Sequence, residues 1–133
     1  MAYWLMKSEP ESYSWQDLVR DGGTEWDGVR NNAARLHLKA MKKGDEAFFY
    51  HSMSDKAVVG IMRITREAQP DPKDDDWVSV HVEPVKPIGP VTLVEIKAEP
   101  RLSKMELIRQ SRLSVAPIRD EEWKVVLELA KAR

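Results

Sequence analysis

The sequence contains no cysteine. That excludes disulfide frameworks, thiolate nucleophiles, zinc–thiolate sites and iron–sulfur clusters, and it agrees with a reducing compartment. Neither sign of charge is in excess: 21 Lys and Arg stand against 22 Asp and Glu, for a net −1. A protein that wraps DNA by bulk charge is strongly basic. Any contact with nucleic acid must therefore be local, one pocket or one patch. Uninterrupted apolar runs are only a few residues long, far short of a bilayer-spanning helix. No basic start followed by an apolar stretch opens the chain, so no membrane partner and no secretion signal are expected, and the cytoplasm is the expected location.

Phosphate-binding glycine patterns are also missing: neither GxGxxG nor GxxxxGK followed by Ser or Thr occurs, so no nucleotide cofactor is expected. The histidines His37, His51 and His81 lie far apart, with no HExxH. The acidic run Asp74-Asp75-Asp76 does not fit a calcium-loop pattern and reads as a solvated turn. No metal and no cofactor are expected.

What is present is a chain of 133 residues, 42% hydrophobic and 32% charged. That is the length and composition of one soluble domain, residues 1–133, with a core of its own; a monomer is expected. Five tryptophans, Trp4, Trp15, Trp26, Trp77 and Trp123, are many for this length. Trp is large and amphipathic and belongs in cores and at interfaces.

Local signals order the elements. A short buried strand is expected over 3–6. Ser14, with Asp17 three residues on, has capping-box spacing and starts a helix over 15–20 that Gly22-Gly23 ends. A polar loop follows over 26–31. Asn31 or Asn32 caps a helix running to residue 42, with Ala34, Leu38 and Met41 as its apolar stripe. Strands are expected over 46–51 and 57–66, and Gly60 inside the second marks a bulge or a close backbone approach. Residues 69–76 read as a turn-rich acidic connection. Residues 77–85 alternate, Val78, Val80 and Val82 on one face against Ser79, His81 and Glu83 on the other, as a half-exposed strand does. Pro84, Pro87 and Pro90 punctuate the next connection. Thr92 with Glu95, and Ser103 with Glu106, predict two short helices. A strand is expected over 113–118. Asp120 caps a last helix with Trp123, Val126, Leu127 and Ala130 on one face and Lys131 and Arg133 at its end, as the helix dipole favours. Strands without regular βαβ alternation argue an α+β fold around a mostly antiparallel, barrel-like sheet.

One constellation carries chemistry. Lys7-Ser8-Glu9 follows the first strand, the loop from Trp26 to Asn32 holds a large aromatic, two asparagines and an arginine, and Tyr50-His51-Ser52 ends the central strand. Such residues can read a planar polar ligand. An indole stacks on a base, Ser, Asn and main-chain groups bond its edge, and Arg30 and Arg35 can hold flanking phosphates. Each has a plainer reading. Trp26 closes the core beneath Gly22-Gly23, His51 is a satisfied structural histidine, and Asn31 is a helix cap. Trp4, Trp15 and Trp123 read as core, and Trp77 is open between the two roles. A small hydrolase or nucleic-acid-modifying enzyme using Ser8 and His51 in the same pocket is a rival, although no serine sits on a GxSxG elbow. A protein-interaction module with an exposed apolar patch is a third.

The blocks Tyr3-Trp4-Leu5-Met6-Lys7-Ser8-Glu9-Pro10, Gly23-Thr24-Glu25-Trp26-Asp27-Gly28-Val29-Arg30-Asn31, Gly44-Asp45 with Phe48-Phe49-Tyr50-His51-Ser52, Val59-Gly60-Ile61, Arg66-Glu67-Ala68 with Pro70-Asp71-Pro72, and Arg112-Leu113-Ser114-Val115 together resemble the EVE domain family, in that family's order and over nearly the whole chain. The resemblance implies a PUA-like fold, a small, partly open β-barrel with helices around it, similar in architecture to YTH domains. It implies a non-catalytic module that binds a modified nucleobase, methylated or hydroxymethylated, in DNA or RNA. Carried over by position, Lys7 and Ser8 form the strand-end pair and Trp26 the stacking wall. Gly28 and Val29 bring main chain to the base, and Arg30 and Asn31 line the rim. Tyr50, His51 and Ser52 form the opposite wall, and Arg112 and Ser114 approach the mouth. Two departures stand out. Where the family often continues Tyr-Gln-Ala-Arg-Asn after Asn31, this chain has Asn32-Ala33-Ala34-Arg35-Leu36. The connection after Pro72 is also short, which is expected to open the pocket or alter its base preference.

Overall fold

The computed structural model describes residues 1–53 and 55–131. Six strands form one open sheet: β1 (Tyr3–Ser8), β2 (Thr24–Trp26), β3 (Glu46–His51), β4 (Ala57–Asp71), β5 (Asp74–Thr92) and β6 (Val115–Ile118). Their order is β2-β5-β4-β3-β1-β6. Every pairing is antiparallel except that of β1 with β3, which is parallel. The helices are α1 (Trp15–Asp21), α2 (Asn32–Ala40), α3 (Leu93–Ala98), α4 (Glu106–Arg109) and α5 (Asp120–Lys131), with a 3-10 turn over Pro100–Leu102. This is the expected α+β class. Arg133, expected at the end of α5, lies outside the described residues.

Strand alternation sorts the apolar side chains into two cores, one on each face of the sheet. Trp4, Met6, Ala47 and Phe49 join Trp15, Leu18, Trp26, Ala34 and Leu38 beneath α1 and α2. Their sequence neighbours Leu5, Phe48 and Tyr50 join Ile96, Leu102, Trp123 and Val126 beneath α3 and α5. Trp123 is stacked between Tyr3 (ring centroids 4.2 Å apart) and Phe48 (3.9 Å). Trp4 donates its indole N–H to buried Asp45 at 3.0 Å. Trp4, Trp15 and Trp123 are thus core residues, as expected.

Local chemistry places the helix ends. Ser14 and Asp17 form the capping box of α1, and Gly22 ends it in the left-handed region. Asn31 caps α2, accepting from the Ala34 N–H at 2.9 Å. Thr92 and Glu95 form the capping box of α3. The expected box at Ser103 does not form: Ser103 ends the 3-10 turn, and α4 starts after Met105 without a side-chain cap. Asp120 is the first residue of α5 rather than its cap, and Glu122 accepts the Arg119 N–H at 3.0 Å.

The main correction concerns β4 and β5. Residues 69–76 are a hairpin, with β4 reaching Asp71 and β5 starting at Asp74. Pro84, Pro87 and Pro90 lie inside β5 rather than in a connection. The reason is an open edge. β2 covers β5 only opposite Val80, His81 and Val82. Beyond Val82, among the described residues, one side of β5 has no strand beside it, and a residue without an N–H is tolerated there. Ser79, expected on the exposed face, is fully buried and donates its hydroxyl to Glu25.

Gly60 combines both features its sequence position suggested. The β4–β5 register shifts beside it, and a Cβ there would stand 2.5 Å from the Trp15 ring. Gly60→Ala is expected to cost about 1–3 kcal/mol through overpacking. Urea denaturation of the variant checks this, and an unchanged midpoint would show that the Trp15 ring yields freely.

Candidate functional site

A cleft of about 470 Å³ opens where β1 leaves the sheet. Lys7, Ser8 and Ser114 line one side, Trp26, Gly28, Val29 and Arg30 the other, and Ser12, Tyr13, Thr24, Glu25, Asp27 and Lys73 complete it. The parallel register of β1 with β3 sets Ser8 beside His51, and Ser114 is drawn in because its carbonyl accepts the Lys7 N–H at 2.9 Å.

Trp26 serves the core and the cleft at once. It is 8% exposed, and its ring meets Phe49 edge-on at 5.5 Å and 85°. The Ser8 hydroxyl donates to the Tyr13 carbonyl at 2.6 Å. Its proton is committed, so Ser8 can offer a ligand only lone pairs. The Lys7 ammonium donates to the Ser111 carbonyl at 2.7 Å, and burial lowers its pKa from the ordinary value.

Asp71 holds the loop from Asp27 to Asn31 in place. Its side chain has no exposed surface. It accepts from the Gly28 N–H at 2.9 Å, the Arg30 guanidinium at 3.0 Å and the Lys73 N–H at 2.7 Å. Burial alone would raise its pKa, but these donors and the Arg30 charge outweigh that and hold it at about 2. Gly28 sits at φ 75°, a turn that L side chains resist. Across the mouth, Lys73 lies 3.5 Å from Asp27, so the tip of the short β4–β5 hairpin borders the cleft. Glu25 is spoken for by Arg66 and Ser79.

The other expected site residues lie elsewhere. Successive strand residues face opposite sides, so Tyr50 and His51 cannot form one wall. Tyr50 belongs to the core under α3 and α5, and Tyr50 and Ser52 line a separate cavity. His51 is 4% exposed. Its Nε2 accepts the Trp15 main-chain N–H at 3.0 Å, which makes Nδ1 the protonated nitrogen, donating to Asp55 at 2.9 Å. Both ring nitrogens are used, and the Ser8 proton points elsewhere. The Ser8–His51 dyad of the hydrolase reading is not assembled. Asn31 is engaged as the cap of α2 and, with Arg112, borders a shallow groove beside the cleft. Arg112 makes no ion pair among the described residues. Arg35 bonds the Asp76 carbonyl at 3.0 Å and lies 5.0 Å from the Trp77 ring centroid. Arg30 lies 5.7 Å from the same ring, so Trp77 ties the hairpin to α2.

Sequence reasoning missed Ser12, Tyr13, Thr24, Glu25, Asp27, Lys73 and above all Asp71. Thr24, Glu25 and Asp27 stand inside a block already singled out, and Asp71 stands between Pro70 and Pro72. That turn dipeptide context was the available signal.

The profile of the EVE domain family matches residues 2–129. Thymocyte nuclear protein 1 of Mus musculus is 38% identical over 164 residues, covering 96% of this chain and 73% of that protein. An NMR structure of a protein from Rhodopseudomonas palustris is 50% identical with a TM-score of 0.94, covering 99% of this chain and 94% of that one. The crystal structure of human THYN1 in complex with DNA containing 5-methylcytosine is 35% identical with a TM-score of 0.92, covering 98% of each chain.

Proposed function

Because the chain belongs to the EVE domain family, we propose that it is a non-catalytic module that binds one modified nucleobase, in DNA or RNA, within the cleft beside Trp26 and Ser8. The observation that carries this reading is that cleft of about 470 Å³, within the roughly 300–1,000 Å³ usual for small-ligand sites. It lies on a fold shared with a protein bound to 5-methylcytosine DNA.

The base leaves its stack and enters the cleft. Extrusion costs a few kcal/mol and is smallest for an unpaired or damaged base. Trp26 supplies the aromatic contact. The acceptors Ser8 Oγ and Asp27 suit an exocyclic amino group, as on cytosine. The Arg30 side chain is 36% exposed at the rim, where a phosphate can reach it. Binding rather than turnover is supported by the committed Ser8 proton and the doubly bonded His51.

The test is a fluorescence-anisotropy titration with single-stranded DNA and RNA oligonucleotides carrying 5-methylcytosine, 5-hydroxymethylcytosine or plain cytosine. One added methyl group is worth about 1–3 kcal/mol, so a preference of roughly tenfold is expected for a modified strand. Equal affinity for plain and modified strands would overturn the reading. So would an altered oligonucleotide mass after incubation, which would make the protein an enzyme.

A further inference from the structure

Resting on that reading, we propose that a second cavity, directly across Lys7 from the base cleft, holds the sugar–phosphate backbone next to the bound nucleotide. This cavity, of about 310 Å³, opens between the turn after β3 and helix α3. Lys7, Lys56 and Lys97 line it, with Ser52 and Ser111, over a floor that includes Tyr50.

Three observations converge on a phosphate. The first is charge. Among the described residues no Asp or Glu lines this cavity, whereas the base cleft contains Glu25 and Asp27. In a chain of net charge −1, three lysines around one hollow make a local positive site. Asp55, on the adjoining groove, is bonded to His51 Nδ1. Tyr50 adds no negative charge, since burial pushes its pKa up to about 12. The second is availability. Arg20, Arg66, Arg101 and Arg119 are all paired with carboxylates. Lys56 and Lys97 make no ion pair among the described residues. The third is continuity. Lys7 lines both hollows. Its ammonium is fixed on the Ser111 carbonyl and lies 5.9 Å from the Tyr50 ring centroid. It is a partition with a positive charge on it, and a strand whose base sits in the cleft passes over it.

The test compares the native protein with the Lys56→Ala, Lys97→Ala double variant. Two probes are used: the nucleoside 5-methyl-2′-deoxycytidine and a nine-nucleotide single strand with 5-methylcytosine at its centre. The nucleoside has no phosphate, so its affinity is expected to be unchanged. Affinity for the strand is expected to fall about tenfold at low salt. The slope of log K against log salt should shrink by about 1.4, two phosphate contacts at roughly 0.7 each for single strands. A double variant at Lys42 and Lys86, which border neither cavity, should match the native slope. The proposal is overturned if the Lys56, Lys97 variant keeps the native strand affinity and slope. It is also overturned if nucleoside and strand weaken equally, because the lysines would then act through the base cleft. A native protein that binds neither probe overturns the base-binding reading itself, and this proposal with it.

Discussion

Trp26→Ala is expected to lose about 3–5 kcal/mol of stability, the usual cost of truncating a buried aromatic. On a chain of this size that lowers Tm by roughly 10–20 °C. The ring is 8% exposed and braced edge-on against Phe49, so the alanine variant alone cannot separate folding from binding. Trp26→Leu can. It keeps an apolar side chain in the core and removes the aromatic face. In the folded leucine variant, checked by circular dichroism at low temperature, affinity for a 5-methylcytosine strand should drop by the worth of one stacking contact. That is about 1–3 kcal/mol, or roughly five- to 150-fold. Native affinity in that folded variant would mean that the base does not lie on Trp26.

Asp71→Ala carries the other large effect. It leaves the Gly28 and Lys73 N–H groups and the Arg30 guanidinium without their shared acceptor. Leaving these donors unsatisfied costs about 1–3 kcal/mol; the Arg30 side chain is 36% exposed, so water takes up part of its lost pairing. The loop that carries Val29 and Arg30 into the cleft should lose its shape, and strand binding should fall with stability. Acid offers a milder version of the same experiment. The carboxyl pKa drops from an ordinary 3.8 to about 2 in the folded protein. Its contribution is therefore complete above pH 4 and disappears as pH falls towards 2, a difference of about 2 kcal/mol. Urea denaturation at pH 4 and pH 2.5 should show a larger loss for the native protein than for Asp71→Asn. Equal losses would mean that Asp71 does not hold this charge in the native state.

How much could be read from the sequence depended on the range of the determining contacts. The caps at Ser14, Asn31 and Thr92, and the apolar stripe of α2, follow from neighbours within one helical turn, and all were legible. β2 was not. Three residues become a strand only because β5 lies alongside, and nothing in Thr24-Glu25-Trp26 announces that partner. The prolines of β5 misled for the same reason, since a proline's place in a sheet depends on which edge is open. Within the site, residues from the end of β1 and the Trp26 loop came together as expected. The block Tyr50-His51-Ser52 did not, because strand geometry sends adjacent side chains to opposite faces. Asp71 stayed hidden because its bonding partners Gly28 and Arg30 stand 43 and 41 residues away. Trp26 lies in the core and also borders the cleft, so the core reading does not exclude the other.

The parallel pairing of β1 with β3 has a topological outcome. Two strands that point the same way must release their chains at a common rim, and the departing segments diverge there. The gap between them is made by routing of the backbone, much as crevices form beyond strand ends where connections part. Lys7 stands at that divergence, which is why hollows flank it on both sides. Exchanging Thr24, Asp27 or Lys97 would change the lining without erasing the space. This end of the molecule is an evolvable socket, in which a new preference needs only a new lining.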